Sequence, residues 1–562
     1  MGRNQIPTIE IPKKDVWSAL FERDDREFPD DQVIYLNPLT SRSYTYSTLL
    51  TTTRSFGTLL QTHPTFSLQK GQVLALFAQN CIDTPPITWA AHYAGGVVSP
   101  ANPAYTVREL VHHLHDSGAK FLFTQKHLLP VALEAAREVN LRKENIVCIG
   151  EEADRPSNNA GVRWFPDLLD EAKKMVEENG VKERVELDCE RDLAFLVYSS
   201  GTTGLPKGVM LSHSNVVSNL FMLNSSEGTI LHWKRDRVLS VLPYYHIYGL
   251  QCLVHLPTYT GLTTFVMSAF DLKLFCSLIQ DHKITYTYVA PPVVLHLAKN
   301  PAVDDYDLSS LRMITSGAAP LTKELIHAVK KRLGTEVKQA YGLSETSPAT
   351  HIQKQWDDGL GSCGPPLPNQ IIKFMSADGV EVPRGKEGEV WVKGPNVFLG
   401  YHNNEEATKS SITEDNFFKT GDIGFEDERG NMFITDRVKE LIKYKGFQVA
   451  PAELEGVLNG HPLITDVAVI GIHDSTRESE VPMACVVLKE GNSPSPSTEK
   501  EIVTWLASRV AGHKALRGGV WFVDEVPKSA SGKILRRVLK ETAKKEGRDG
   551  RSGGEGGVRA KL

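Results

Sequence analysis

The segment at residues 198–208 constrains this chain more than any other part of its sequence. It reads Tyr-Ser-Ser-Gly-Thr-Thr-Gly-Leu-Pro-Lys-Gly and follows the apolar run Leu-Ala-Phe-Leu-Val at residues 193–197. The run predicts a buried strand, and the hydroxyls and glycines after it predict a loop whose N–H and O–H groups bind a polyphosphate. It is not a Walker A loop, because Gly208 follows Lys207 where that motif has Ser or Thr for magnesium. From composition alone, a plain surface connection is the alternative.

The composition is that of a large folded chain with more than one core. Its 562 residues are 41% hydrophobic and 23% charged, which predicts at least two domains. The formal net charge of -5 is small for this length and argues against nucleic acid as the main partner. The seven cysteines lack CxxC spacing, so we expect reduced thiols and no zinc site. We expect neither a membrane span nor a secretory signal.

Apolar runs typical of buried strands alternate with helical patterns. This alternation predicts parallel sheets covered by helices on both faces. The expected strands lie at residues 73–77, 121–123, 238–242, 285–289 and 313–315, and an expected helix spans 321–333. Alternating residues at 389–392 indicate a smaller β element. A second unit after Asp436 is expected to contain strands near 466–472 and 483–488 and helices near 500–510 and 536–545.

Four further blocks accompany the first segment. They are Gln-Ala-Tyr-Gly-Leu-Ser-Glu-Thr at 339–346, Thr-Gly-Asp at 420–422, Asp-Arg at 436–437 with Lys-Tyr-Lys-Gly-Phe-Gln at 443–448, and Pro-Lys-Ser-Ala-Ser-Gly-Lys at 527–533. In this order, the blocks resemble the adenylate-forming superfamily of acyl-CoA synthetases, peptide-synthetase adenylation domains and beetle luciferases.

The resemblance implies an α/β fold with a large and a small domain. The large N-terminal domain (1–435) is expected to hold parallel or mixed sheets covered by helices, plus a β element. The small C-terminal domain (436–545) is expected to be α+β and mobile, with its hinge at Asp436. A flexible glycine-rich tail (546–562) is expected to follow it.

The resemblance also implies a reaction in two steps, of which the first is adenylation. Joining a carboxylate to a thiol is uphill in water, so the acid first attacks the α-phosphate of ATP, which gives an acyl-adenylate and pyrophosphate. Preorganised cations and N–H donors stabilise the negative charge that develops. Lys533 matches the family's catalytic lysine for this step. Its place in a Ser-Gly-Lys turn before a helix is unfavourable for a cation unless an anion binds there, and the alternative is a solvated lysine.

Nucleotide and metal ligands follow from the same resemblance. Tyr341 would stack on adenine, Asp422 would accept hydrogen bonds from both ribose hydroxyls, and Arg437 would add charge-assisted bonds. Glu345 and Thr202 would bind Mg²⁺, which prefers oxygen ligands. For Asp422 and Arg437, the alternative is an interdomain salt bridge. The implied ATP- and AMP-binding residues are Ser199, Ser200, Gly201, Thr202, Thr203, Gly204, Lys207, Ala318, Gln339, Ala340, Tyr341, Gly342, Ser344, Asp422 and Arg437.

The second step transfers the acyl group to coenzyme A. A thiol with a pKa of about 8.5 attacks more readily beside positive charge or a base. The run at 439–451 is very similar to the corresponding block of 4-coumarate–CoA ligases, which implies catalytic roles for Lys443 and Gln448 and coenzyme A binding by Lys445 and Gly446. In this family the small domain swings after adenylation and brings that block to the site. A basic strand edge that blocks aggregation is the alternative.

The acid is constrained by the block Leu-Pro-Tyr-Tyr-His-Ile-Tyr-Gly at 242–249, which resembles the segment that gates the acid site of coumarate-type ligases. Domains that activate amino acids have an Asp here, so an amino acid is not expected. His246 is assigned a catalytic and pocket role, with a buried core histidine as the alternative. We expect a mostly apolar slot for an aryl-propenoic, arylacetic or medium-chain acid, lined by Tyr245, His246, Gly317, Ala340, Pro348 and Ala349.

The last residues of the sequence are Ala560, Lys561 and Leu562, after a glycine-rich stretch. Such a stretch cannot bury apolar surface, so we expect a flexible stalk that exposes the tripeptide. The tripeptide resembles the Ser-Lys-Leu peroxisomal address, with Ala in place of Ser, and a chance match is the alternative. We therefore expect a peroxisomal protein that meets the import receptor through these residues.

Together, the residues and the resemblance predict an AMP-forming acyl-CoA ligase of the 4-coumarate–CoA ligase type. It would use ATP, Mg²⁺ and coenzyme A to activate an aromatic or medium-chain carboxylic acid. An enzyme that loads an acid onto a carrier protein and a luciferase-like oxygenase are the rival activities. A non-catalytic protein of this fold would lack one of Lys533, Glu345 or Asp422, and all three are present.

Overall fold

Two eight-stranded sheets form most of the protein. The computed structural model describes residues 7–157, 161–199, 206–354, 359–437, 440–445, 447–475, 477, 479–529 and 532–548. Residues 200–205, Gly446 and the C-terminal tail from residue 549, on which several sequence predictions fall, lie outside the described residues. The sheets are mixed and mostly parallel, with helices between successive strands, which confirms the predicted α/β class.

The first sheet is built largely from the beginning of the chain. In spatial order its strands are β18 (Gly400–Tyr401), β9 (Lys207–Ser212), β8 (Leu193–Ser199), β4 (Val97–Ala101), β3 (Val73–Phe77), β5 (Phe121–Gln125), β6 (Ile146–Ile149) and β7 (Arg163–Trp164). The strands from β8 to β7 run parallel, and β9 and β18 are antiparallel additions at one edge. Almost all of β3 is buried, as expected for a parallel strand that is covered on both faces.

The second sheet carries the strands that end at the candidate site. In spatial order these are β15 (Ala349–Ile352), β14 (Glu336–Gly342), β13 (Met313–Ser316), β12 (Tyr286–Val289), β10 (Arg237–Ser240), β11 (Thr263–Val266), β1 (Val33–Leu36) and β2 (Ser43–Thr45). The strands from β14 to β1 are parallel, and β15 and β2 are antiparallel edges. The carboxyl ends of β12, β13 and β14 therefore meet at one edge of the sheet.

Three smaller sheets contain the remaining strands of the described residues. An antiparallel sheet contains β16 (Ile371–Met375), β17 (Gly388–Lys393), β19 (Phe418–Glu426) and β20 (Met432–Arg437), and β17 includes the predicted β element. Asp436, the predicted hinge, is the penultimate residue of β20. The C-terminal part holds the hairpin of β21 (Ile442–Tyr444) and β22 (Phe447–Val449) and a sheet of β23 (Ile464–Asp474), β24 (Ser479–Leu488) and β25 (Val520–Phe522).

The helices cover the sheets. Among the described residues they are α1 (Val16–Phe21), α2 (Tyr46–Thr62), α3 (Thr84–Tyr93), α4 (Val107–Ser117), α5 (Leu129–Glu138), α6 (Phe165–Asn179), α7 (His213–Glu227), α8 (Ile247–Leu250), α9 (Leu256–Thr260), α10 (Leu272–His282), α11 (Pro291–Lys299), α12 (Lys323–Leu333), α13 (Glu405–Ser411), α14 (Pro451–Asn459), α15 (Pro496–Ala507) and α16 (Arg536–Lys545), with a π-helical stretch at Gln251–His255. In the described part of the chain, no helix combines the length and apolar character that crossing a bilayer requires.

Helix α7 lies between the two large sheets. Most of its circumference is buried, as expected for a helix inside a core. It directly follows β9 of the first sheet, and the Asn219 side-chain amide donates to the Ala349 carbonyl oxygen of β15 in the second sheet (2.7 Å). The Asn215 amide donates to the carbonyl oxygens of Pro395 and Val397 (2.9 Å each). Side-chain hydrogen bonds from one helix thus fix the second sheet relative to the first.

Several element boundaries differ from the sequence prediction, and for two of them side-chain hydrogen bonds give the cause. The predicted helix over 321–333 begins two residues later, because the Thr322 hydroxyl caps α12 by accepting the Leu325 N–H (3.4 Å). The predicted strand over 238–242 ends at Ser240. The backbone after it turns to meet Asn80, whose amide donates to the Leu242 carbonyl oxygen (2.9 Å) and accepts the Tyr244 N–H (2.8 Å).

We predict that Asn80→Ala destabilises the protein, because it leaves two buried backbone groups of the segment after β10 without partners. Asn80 is only 6% exposed. The expected cost is about 1 to 3 kcal/mol in the free energy of unfolding. Urea unfolding followed by tryptophan fluorescence measures it. The control is Asn179→Ala, an exposed residue whose amide bonds only within its own helix. Equal unfolding midpoints for the two variants would contradict the prediction.

Candidate active site

A cavity lies where β13 and β14 end. Ligand sites in open α/β sheets form at the carboxyl ends of the strands. Five of the six residues predicted to hold the acid line this cavity, namely His246, Gly317, Ala340, Pro348 and Ala349. Ala318, Tyr341 and Gly342, which were predicted to bind the nucleotide, line it as well. The predicted acid and nucleotide residues therefore share one cavity.

The sixth residue predicted to hold the acid, Tyr245, is not among the described residues that line the cavity. Tyr248 lines the cavity instead. The cause is the start of α8. The Nδ1 atom of His246 accepts the Tyr248 N–H (3.3 Å) and so caps the helix. Tyr248 then lies next to β13, and its hydroxyl donates to the Thr315 carbonyl oxygen of that strand (3.2 Å).

Two backbone positions limit the shape of the cavity. A Cβ atom on Gly342 would lie 2.0 Å from the Pro348 carbonyl oxygen, so only glycine fits there. Ala318, just after β13, has a φ of 72°. This value lies in the left-handed region, which residues other than glycine rarely adopt. Such strain is frequent at ligand sites, where the surrounding structure holds it.

Asp422 connects the cavity to the four-stranded sheet. It is 2% exposed, and its carboxylate accepts a hydrogen bond from the Tyr341 hydroxyl (2.6 Å) and one from Arg437 Nε (2.8 Å). Asp422 and Arg437 are direct neighbours across β19 and β20. Burial and the charge of Asp422 raise the pKa of Tyr341 well above its usual range. A carboxylate has about four acceptor positions, so Asp422 keeps capacity for a further ligand.

Glu345 lies in a short 3₁₀ turn (Ser344–Thr346) and is also buried. Its Oε1 atom accepts the Tyr401 hydroxyl (2.9 Å), and burial raises the pKa of the carboxyl group. The Tyr401 ring in turn lies 5.0 Å from Lys207 Nζ. Tyr401 thus links the predicted metal ligand to the lysine of the phosphate-binding segment.

The two ends of the predicted phosphate-binding loop are close together. Ser199, the last residue of β8, lies opposite Lys207, the first residue of β9, in an antiparallel pair. The loop residues Ser200, Gly201, Thr202, Thr203 and Gly204 lie outside the described residues. Their binding roles stay predictions, whereas both ends of the loop are placed on strands of one sheet.

Gln339 and Ser344 make structural contacts within the protein. The Gln339 amide donates to the Ser362 carbonyl oxygen (3.2 Å), and its backbone N–H donates to Gln353 Oε1 (3.2 Å). Ser344 begins the turn that carries Glu345. Neither is among the described residues that line the cavity. Their predicted contact with the nucleotide stays a prediction.

His246 is neutral at pH 7 in this arrangement. Burial, together with the charge of Lys533, lowers the pKa of His246 to about 4. Because Nδ1 accepts a backbone N–H, the single ring proton is assigned to Nε2. The cavity is therefore lined by an imidazole that can donate one hydrogen bond, as a carboxylate requires.

Lys533 reaches this site from the C-terminal part of the chain. It lies in a turn closed by the Ser529 N–H bond to the Lys533 carbonyl oxygen (2.8 Å). Gly532, with a φ of 79°, packs at the start of α11, where a Cβ atom would lie 2.8 Å from Pro292 Cδ. Burial, followed by the charge of Arg437, lowers the pKa of Lys533 to about 8.

The residues predicted for the second step lie elsewhere. Lys443 and Gln448 are paired across the β21–β22 hairpin. The Lys443 N–H donates to Glu480 Oε2 (2.9 Å), the Lys445 N–H donates to Ser479 Oγ (2.8 Å), and both lysine side chains are exposed. Gly446 lies outside the described residues. Lys533, and not this hairpin, thus acts electrostatically on His246 of the cavity.

The predicted hinge residue lies in a cluster of carboxyl groups. Asp436 Oδ1 accepts the Arg437 N–H (2.6 Å), and Oδ2 is buried without a partner among the described residues. Arg536 pairs with Glu440 (2.5 Å) and with Glu455 (2.7 Å) nearby. Burial, reinforced by the charges of these two glutamates, raises the pKa of Asp436 to about 7.

Several residues of the site carry no sequence signal by themselves. Tyr401 belongs to the two-residue strand β18 and to none of the motif blocks. Tyr288 and Thr315 line the cavity but were predicted only as parts of buried strands. Tyr248 is part of the acid-site block, so its sequence signal was present, and only the choice between it and Tyr245 depended on the start of α8.

The fold and the site together define an adenylate-forming enzyme, and comparisons with known proteins agree. The model of the AMP-binding enzyme family matches residues 21–402, and that of the AMP-binding enzyme C-terminal domain matches residues 453–533. A probable 4-coumarate–CoA ligase of Dictyostelium discoideum is 37% identical over 543 residues, which cover 96% of this chain and 97% of that protein. A 4-coumarate–CoA ligase of Petroselinum crispum is 36% identical over 547 residues, with 96% of each chain covered.

Comparison with solved structures also indicates an adenylate-forming enzyme. An anthranilate CoA ligase in complex with anthranoyl-AMP has a TM-score of 0.84 at 26% identity, covering 96% of this chain and 99% of that chain. The chain belongs to the AMP-binding enzyme family. The predicted adenylate-forming superfamily and the predicted class, an AMP-forming acyl-CoA ligase that works through an acyl-adenylate, are confirmed.

We predict that adenylation slows at alkaline pH because Lys533 loses its proton. Its pKa of about 8 means that the ammonium form is present below that pH and is lost above it. The kcat/KM of ATP–pyrophosphate exchange, measured without coenzyme A, should therefore fall above about pH 8. In Lys533→Arg, the activity that remains should keep its value to higher pH, since a guanidinium does not titrate in this range. A flat wild-type profile from neutral to strongly alkaline pH would contradict the assignment.

Proposed function

We propose that this protein activates an aromatic or medium-chain carboxylic acid with ATP and Mg²⁺ and transfers it to coenzyme A inside peroxisomes. The observation that carries the proposal is the position of Lys533. The charge of this lysine acts on His246 of the cavity, and the charges of Asp422 and Arg437 act on the lysine. A cation from the C-terminal part is thus within electrostatic range both of His246, which is expected to hold the acid, and of Asp422 and Arg437, which are expected to hold the nucleotide.

The adenylation step follows from these positions. A carboxylate oxygen of the acid attacks the α-phosphorus of ATP, a new P–O bond forms, and the bond to pyrophosphate breaks. The ammonium of Lys533 offsets the negative charge that accumulates at the phosphorus, and the Nε2–H of His246 orients the carboxylate. A neutral imidazole suits this role because its Nε2–H donates a hydrogen bond to the carboxylate, while Nδ1 is occupied by the Tyr248 N–H.

Glu345 fits a magnesium ion that is shared with the substrate. Mg²⁺ is usually held by one or two carboxylates together with substrate phosphates. Glu345 is a buried carboxylate that accepts a hydrogen bond from Tyr401, whose ring contacts the lysine of the phosphate-binding segment. The ion would be held by Glu345 with the Thr202 hydroxyl. When bound, it neutralises phosphate charge.

Transfer to the thiol requires another arrangement of the C-terminal part. The thiolate of coenzyme A attacks the acyl carbonyl, and AMP leaves with the electron pair of the broken C–O bond. Lys443, Gln448 and Lys445 are the residues proposed for this step, and their hairpin lies on the C-terminal sheet. We propose that rotation about Asp436 replaces the Lys533 turn by this hairpin.

The class of acid is supported by the cavity and by the relatives. Leu223, Ile247 and Ile352 give the cavity apolar walls. The relatives that cover nearly the whole chain are named for 4-coumarate, and a structural neighbour is named for anthranilate. An aromatic acid fits both observations, and a medium-chain acid fits the first.

The test is pyrophosphate release from a panel of carboxylic acids, with and without coenzyme A. We predict that Lys533→Ala lowers acyl-adenylate formation by about 100-fold, because one preorganised cation is lost at the phosphorus. Thioester formation from acyl-adenylate supplied to the variant should continue. Lys528→Ala is the matched control, since Lys528 lies on the same turn and pairs with Asp466 (2.5 Å).

The outcomes separate the two half-reactions. If no acid gives an AMP product, the proposed activity is wrong. If acyl-adenylate forms but coenzyme A gives no thioester, the first step stands and a carrier protein becomes the acceptor to examine. Equal losses in Lys533→Ala and Lys528→Ala would contradict the role of Lys533.

We predict that peroxisomal import depends on Ala560, Lys561 and Leu562, which resemble an import address and lie outside the described residues. A fluorescent protein fused before residue 1 should colocalise with a peroxisomal marker, and removal of the tripeptide should leave it diffuse. Replacement of Ala560 by Ser should preserve import. A punctate pattern without the tripeptide would contradict the prediction.

A further inference from the structure

The last turn of α4 binds the end of β8, where the phosphate-binding loop begins. Asp116 is the penultimate residue of α4, and its Oδ2 atom accepts a hydrogen bond from the Tyr198 hydroxyl (2.6 Å). Tyr198 directly precedes Ser199, the last residue of β8. The ring of His113, one turn earlier in α4, lies 4.3 Å from the Tyr198 ring between centroids. Neither Asp116 nor His113 belongs to a motif block, and the proposed adenylation step does not use them.

The position of Asp116 in its helix is unfavourable for a carboxylate. The C-terminal end of a helix carries partial negative charge, which repels an acidic side chain in the last turn. Among the described residues, the Asp116 carboxylate forms no ion pair, and its donor is the Tyr198 phenol. Burial, followed by the bond to Asp116, raises the pKa of Tyr198 above its usual range, so the phenol keeps its proton and donates it. This charge-assisted bond offsets the cost to the helix.

Asp116 also binds a second strand, through its backbone. Its carbonyl oxygen accepts a hydrogen bond from Nε2 of His402 (3.1 Å). His402 directly follows Tyr401, the last residue of β18. Tyr401 donates to Glu345, the predicted metal ligand, and its ring lies 5.0 Å from Lys207 Nζ. One residue of α4 is therefore bonded to both strands that flank β9, the strand on which Lys207 lies.

The packing around β9 transmits these contacts to its backbone. Gly208, which follows Lys207, is paired with Tyr198 of β8. A Cβ atom on Gly208 would lie 3.3 Å from Tyr198 Cζ and 3.2 Å from His402 Cβ. The His402 N–H also donates to the Gly208 carbonyl oxygen (2.8 Å). The two side chains that Asp116 holds thus enclose the backbone beside Lys207, and a shift of either would move it.

We propose that Asp116 is a positioning residue for the groups that bind the triphosphate of ATP. It acts through Tyr198, because the short bond fixes the end of β8 and so the strand pair in which Ser199 lies opposite Lys207. Small displacements of binding groups are costly, and supporting residues prevent them. The inference rests on the proposed function, since it requires ATP to bind at Ser199 and Lys207. The residues expected to hold the acid lie on other elements, so their binding should not depend on Asp116.

The experiment measures ATP and acid separately. The Kd of ATP with Mg²⁺ is obtained by isothermal titration calorimetry without an acid, and the two KM values are obtained from ATP–pyrophosphate exchange. Asp116→Ala and Tyr198→Phe should each raise the Kd and the KM for ATP by about tenfold, and leave the KM for the acid near its wild-type value. The double variant should resemble either single variant, because both substitutions remove the same bond.

Two further variants separate positioning from stability. Asp116→Asn keeps an acceptor of the same shape and should retain most of the ATP affinity, and it decides with Tyr198→Phe if Asp116→Ala does not fold. Tyr44→Phe is the matched control. It also removes a bond from a phenol to a carboxylate, that of Asp83 (3.0 Å), but on β2, at the edge of the second sheet opposite β15. Its thermal unfolding midpoint should fall as in Tyr198→Phe, and its Kd for ATP should not change.

Three results would overturn the inference. They are an unchanged Kd for ATP in Tyr198→Phe, an equal rise of the KM values for ATP and acid, and a rise of the Kd for ATP in Tyr44→Phe equal to that in Tyr198→Phe. Failure of the proposed function has a different signature, because the wild type itself would then form no AMP product with any acid. In that case the comparison of Kd values still decides, and a wild type that does not bind ATP would overturn the inference as well.

Discussion

The arrangement of the active site depends on the buried carboxylate of Asp422. It is held at once by Tyr341, at the end of β14 in the second large sheet, and by Arg437, at the end of β20 in the four-stranded sheet. Both bonds are short and buried, so the cavity wall and the small sheet cannot shift independently. Arg437 is also the last residue of β20 before the C-terminal part. The same carboxylate therefore fixes both the end of the cavity that is predicted to hold the nucleotide and the strand that ends at the predicted hinge.

The electrostatics of the site follow from this anchor. Arg437 and Lys533 are two cations in one partly buried region, and their repulsion contributes to the low pKa of Lys533. Asp422 and Glu440 offset only part of it. A polyanion between the cations would relieve the repulsion, so the site holds positive charge ready for a phosphate before one binds. His246 adds none, because burial keeps its ring neutral. The residues predicted to bind phosphate thus carry the positive charge, and the residue predicted to bind the carboxylate is a neutral donor.

Local patterns predicted the fold better than the site. Strand β3 begins and ends at the predicted residues, because its apolar run is long enough to be recognised from sequence alone. Strand β10 is shorter than its apolar run because Asn80, distant in sequence, binds the backbone after it. Of the six residues that the motif blocks predicted to hold the acid, five line the cavity. Tyr288 and Lys338 were missed because their partner Glu227 lies at the end of a remote helix, and no local periodicity records such a contact.

The buried ion pair of Glu227 and Lys338 is not explained by a contribution to stability. Burying two charges costs more than a good apolar contact of the same volume, and a buried ion pair is therefore weak support for a fold. Here every oxygen of the carboxylate is used, by one ammonium and two phenols. Such a fully satisfied network specifies a single arrangement of its members, which an apolar cluster would not do. Because Tyr288, which contributes one of the two phenols, also lines the cavity, the network holds one residue of the cavity wall in a single orientation.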